Sequence, residues 1–112
     1  MSSTSSDAEA LESRLRSLRE RIEAVDDELI RIIGMRRELV LEIGRVKEAL
    51  GRPVLDPAQE AAVVRQAAAR ARELQVDEEM TRDVLWRVIS SARAAQESTG
   101  RRGQPRSPEG ET

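Results

Sequence analysis

From residue 11 to residue 50 the chain sets apolar side chains at alternating steps of four and three. The series is Leu11, Leu15, Leu18, Ile22, Val25, Leu29 and Ile32, then, after one exception, Leu39, Ile43, Val46 and Leu50. Such steps return to one side of a helix with 3.6 residues per turn, so they draw one continuous stripe. No proline interrupts it. The pattern predicts a single helix from about Asp7 to Leu50, roughly 60 Å long at 1.5 Å rise per residue. Two shorter helices cannot cover so long a stripe. A lone chain would leave part of it in water, and the expected solution is a homodimer whose long helices are shared between subunits. The exception is Arg36, a cation where the stripe demands an apolar residue.

The stripe ends at "GRPVLDPAQE", where Gly51 suits a left-handed cap and Pro53 prevents continuation. Asp56 then reads as the N-cap of a second helix, Pro57 as its first residue, and Gln59 as the partner that completes a capping box. That helix is expected to run to about Leu74 with Val63, Val64, Ala67, Ala71 and Leu74 inward. "QVDEE" restarts the pattern, with Asp77 as cap and Glu78 and Glu79 complementing the helix dipole. The third helix carries Val84, Leu85, Val88, Ile89 and Ala92 and fades near Ser98. No segment shows strand alternation. The predicted fold is all-α, with one long and two shorter helices per chain. Residues 7–98 form one helical domain, flanked by Ser-, Gly- and Pro-rich tails at 1–6 and 99–112 that are expected to be disordered.

Composition narrows the chemistry. Neither cysteine nor histidine occurs in the 112 residues, which removes disulfides, thiolate metal sites, a cysteine nucleophile and the commonest general base. No metal and no cofactor is expected. The net charge is -2 with both signs interspersed, so no basic face for nucleic acid is expected. No run approaches about 20 apolar residues, and the N-terminus lacks a basic region followed by an apolar one, so no membrane association is expected and the expected location is the cytoplasm.

Several polar residues stand where apolar ones belong. Arg36, Val40, Ile43 and Lys47 fall within about 60° of one another on a helical wheel and face one neighbour. In the third helix Leu85, Ile89 and Ala92 share a face that ends in Gln96, and in the second Glu60 lines up with Val63, Val64 and Ala67. Interior cations without partners cost several kcal/mol, so Arg36 and Lys47 need carboxylates. Either Glu60 or another acid supplies an internal bridge that sets helix register, or the anion arrives with a ligand. Two cations, an amide and one carboxylate would suit a small dianion with a hydroxyl and a polarisable oxygen. The interior glycines Gly34 and Gly44 fit either the close approach of a helix or a ligand, or tolerated surface positions.

The motifs "LRERI-x3-D", "RR-x9-K" beginning at Arg36, "RPV-x-D-x3-E" and a glutamine late in the third helix occur together here. In this combination, over about residues 11–98, the chain resembles the all-helical chorismate mutases. The resemblance implies an intertwined helical-bundle homodimer with two equivalent sites. It makes Arg19 a residue lent by the partner's long helix, and Arg36 and Lys47 the cations of the same subunit. Glu60 and Asp56 would hold the substrate's ring hydroxyl, and Gln96 with Lys47 would contact the ether oxygen. Two substrate-contact positions depart from the pattern: Gln59 stands where relatives commonly carry arginine, and Ala92 where some carry serine. The implied activity is rearrangement of chorismate to prephenate. The same scaffold also serves 4-amino-4-deoxychorismate mutases and isochorismate pyruvate lyases, and a purely structural dimerisation module is the non-enzymatic alternative.

Overall fold

A computed structural model of the chain describes residues 2–103, with side chains from 4 to 97. Helix α1 spans Ser2–Ala49, α2 Pro57–Glu73 and α3 Glu78–Gly103, and no strand occurs among the described residues. Thus α1 starts at Ser2 instead of about Asp7, and α3 runs to Gly103 instead of fading near Ser98. Adding turns to a helix that is already nucleated costs little, even where they bury nothing. Met1 and residues 104–112, which belong to the two expected tails, lie outside the described residues.

The contacts divide the chain into two units, the first ending at Arg36 and the second beginning at Arg37. In the first, α1 has no neighbour among the described residues to pack on. Every described side chain from Thr4 to Met35 is exposed, including the stripe residues Leu11, Leu15, Leu18, Ile22, Val25, Leu29 and Ile32. Gly34 faces open space, with nothing within 4 Å of where a Cβ would stand.

The second unit holds the rest of α1 with α2 and α3. Its core is small: Val64, Ala68 and Ala71 from α2, and Ile89 and Ala92 from α3, where the two helices pack together. Val63, Ala67, Leu85 and Val88 are half-buried. Two expected core residues are corrected, since Leu74 and Val84 are exposed. Leu74 is the C-cap of α2 and already leaves the helix surface.

The boundaries follow from local chemistry. At the end of α1 the Arg52 N–H donates to the Lys47 carbonyl at 2.8 Å and the Gly51 N–H to that of Glu48 at 3.0 Å, with Gly51 at φ 70°. This is a Schellman motif, and glycine takes the left-handed position without a Cβ penalty. Asp56 caps α2 by accepting from the Gln59 N–H at 3.1 Å, with Pro57 following. Among the described residues, the reciprocal bond from the Gln59 side chain is not formed. The end of α2 repeats the Schellman pattern, Val76 N–H to the Ala71 carbonyl at 2.8 Å, but Gln75 occupies its left-handed position at φ 59°. Asp77 then caps α3, accepting from the Met80 N–H at 2.9 Å.

Candidate functional site

Within the second unit, the last turns of α1 meet α3 at Gly44. This glycine is buried, and a Cβ on it would stand 2.9 Å from Gln96 Nε2 and 3.5 Å from Val54 Cγ1. The missing side chain lets the Gln96 amide lie on the α1 backbone, where Nε2 donates to the Val40 carbonyl at 2.9 Å. A carboxamide nitrogen carries two protons, so this bond fixes the group and leaves one N–H to offer elsewhere. Arg37 strengthens the same junction by donating to the Ser91 hydroxyl of α3.

Three residues beyond Gly44, Lys47 is half-buried. Among the described residues its Nζ reaches only the Val54 carbonyl, at a long 3.5 Å, and no carboxylate lies within ion-pair distance. Lys47 borders an open depression of about 420 Å³ walled mainly by Leu39, Ile43, Val46 and Leu50, with Glu42 and Arg52 as further polar members.

The carboxylate considered as an internal partner for these cations is engaged elsewhere. Glu60, in the first turn of α2, pairs with Arg93 of α3, which donates from Nη2 to one oxygen and from Nε to the other at 3.3 Å. Internal neutralisation of Lys47 by Glu60 is therefore corrected.

The remaining predicted residues are scattered. Asp56 and Gln59 are exposed at the start of α2, and Ala92 is buried in the core. Arg19 and Arg36 belong to the first unit, Arg19 exposed and Arg36 half-buried at its last position. The second unit thus gathers Lys47 and Gln96 around Gly44 and Val54 and sets Glu60 against Arg93. Sequence reasoning missed Arg93 and the Arg37–Ser91 contact. A signal for Arg93 existed: it follows Ala92 and lies one turn before Gln96, on the inward side of α3.

Residues 18–97 match the family described as chorismate mutase type II. Among similar proteins, a T-protein of Enterobacter agglomerans is 33% identical over 88 residues, covering 79% of this chain and 24% of that protein. A T-protein of Haemophilus influenzae is 31% identical over 86 residues, covering 77% and 23% respectively. A chorismate mutase of Methanocaldococcus jannaschii is 25% identical over 83 residues, covering 74% of this chain and 84% of that protein. The chain spans about a quarter of the length of the two T-proteins. No solved structure matches it.

Proposed function

The chain belongs to the chorismate mutase type II family, and on that footing we propose that it rearranges chorismate to prephenate, for aromatic amino-acid biosynthesis, as a homodimer. The observation that carries this reading is Lys47: a half-buried ammonium with no carboxylate partner among the described residues, held loosely by one carbonyl and placed one turn beyond the glycine on which the Gln96 amide rests. Such a cation is poised for an incoming anion.

In the reaction one C–O bond breaks as a C–C bond forms within a single molecule, so neither a nucleophile nor a proton transfer is needed. A chain without histidine or cysteine is therefore suited to it. Two things accelerate it. Arginine forks hold the flexible dianion in the conformer where the two carbons approach, the role of Arg36 and of Arg19 from the partner subunit. Preorganised donors receive the negative charge that builds on the ether oxygen, the role of Lys47 Nζ and the free N–H of Gln96. Glu60, with Asp56 beside it, accepts the ring hydroxyl, and Gln59 and Ala92 flank the substrate. The exposed apolar stripe of α1 supports the pairing of chains, because water-exposed aliphatic rows of this length are covered in stable proteins.

The test is to incubate the purified protein with chorismate and follow its ultraviolet absorbance, with product identification. Conversion to prephenate is the expected result; undiminished chorismate at high enzyme concentration refutes the assignment.

A further inference from the structure

Arg93 takes no part in the chemistry above, yet its guanidinium crosses from α3 to close on Glu60 of α2. The Glu60 side chain is only 19% exposed, and Arg93 is 37% exposed. A half-buried carboxylate with no counter-charge would attract any cation presented to it. Paired with Arg93, the couple is close to neutral, and the carboxylate is held by two donors in a fixed orientation. An ionised carboxylate offers about four lone-pair directions, so acceptor capacity remains after Arg93 has taken two.

We propose that Arg93 is a specificity-determining residue, acting through Glu60, that makes this subsite accept a ring hydroxyl and disfavour an ammonium on the same ring carbon. The inference rests on the function proposed above and names the substrate class within it. A hydroxyl is a neutral donor and needs only the spare acceptor on Glu60. An ammonium brings a second cation beside the Arg93 guanidinium, so its attraction to Glu60 is offset by like-charge repulsion while its hydration is lost. Chorismate carries the hydroxyl; 4-amino-4-deoxychorismate carries the amine.

The experiment measures kcat/KM of the full chain for both compounds, in wild type and in Arg93→Gln, Arg93→Lys and Glu60→Gln. Wild type is expected to favour chorismate. Arg93→Gln is expected to move the ratio of the two kcat/KM values toward the amine by about tenfold or more, and Arg93→Lys to restore it. Glu60→Gln, which leaves the cation in place, moves the ratio the other way. A ratio unchanged in Arg93→Gln, with both activities falling together, overturns the proposal and makes Arg93 only a brace between helices. If circular dichroism shows that Arg93→Gln is unfolded, Glu60→Gln decides: a shift toward chorismate supports the proposal, and an unchanged ratio overturns it. A wild type that converts neither compound refutes the enzymatic assignment itself, and this inference with it.

Discussion

Gln96 reaches the Val40 carbonyl through a gap that exists only because residue 44 is glycine. Gly44→Ala would add a methyl group 2.9 Å from Nε2, and the amide, as the far end of a flexible side chain, would be displaced. Alanine favours the helix by about 1 kcal/mol, whereas misplacing a catalytic donor by a fraction of an ångström to 1 Å costs up to about a hundredfold in rate. The expected outcome is helical content at least equal to wild type, by circular dichroism, with kcat lower by about tenfold to a hundredfold. Lys47→Ala tests the other donor. Among the described residues, removal breaks no ion pair and one long hydrogen bond, so stability should change by less than about 1 kcal/mol. Catalysis should fall by about a hundred- to a thousandfold, and wild-type turnover in that variant would remove Lys47 from the mechanism. Lys47 and Gln96 were legible in the sequence because each is polar on an apolar helical face. Arg93 carries the same signal on the inward side of α3, but its pairing with Glu60 requires the register of α3 on α2, which no local pattern states.

The helix boundaries inside the chain were more legible than the helix faces or the outer ends of α1 and α3. Gly51, Pro53, Asp56, Pro57 and Asp77 each act through their own backbone or the next turn, and each behaves as its chemistry dictates. The inward face of α2 was harder to read: "AAVVRQAAARA" has apolar residues in most directions of the wheel. Hence Ala68 enters the core unforeseen and Leu74 does not. The cap chemistry yields two stability predictions. Gln75 holds a left-handed conformation that costs a side-chain-bearing residue about 1–2 kcal/mol. Part of this returns as unfolded-state entropy when glycine replaces it, so Gln75→Gly should stabilise by about 0.5–1 kcal/mol in urea unfolding. Asp77→Ala removes the acceptor of the Met80 N–H and should destabilise by about 1 kcal/mol, with kcat unchanged at temperatures where the protein stays folded.

At the scale of the molecule, the first unit is an amphipathic helix whose described apolar side chains all meet water in the single chain. The proposed dimer removes that exposure, and light scattering should report twice the 12.5 kDa chain mass. Ile22→Glu, which places a charge in the stripe, should shift the protein toward monomer and lower activity in parallel, because under the proposed function each site takes Arg19 from its partner. Undiminished activity in a monomeric variant would refute the shared site. The connector between α1 and α2 has a further consequence. Its Arg52 N–H returns to the Lys47 carbonyl, its Val54 carbonyl faces the Lys47 ammonium, and its Asp56 starts the next helix. None of it is slack. Anyone grafting a reporter or a second protein into this chain should expect a splice between Leu50 and Asp56 to silence it, and should choose the turn after Glu73, whose backbone bonds run to α2 and to the start of α3 and leave Lys47 untouched.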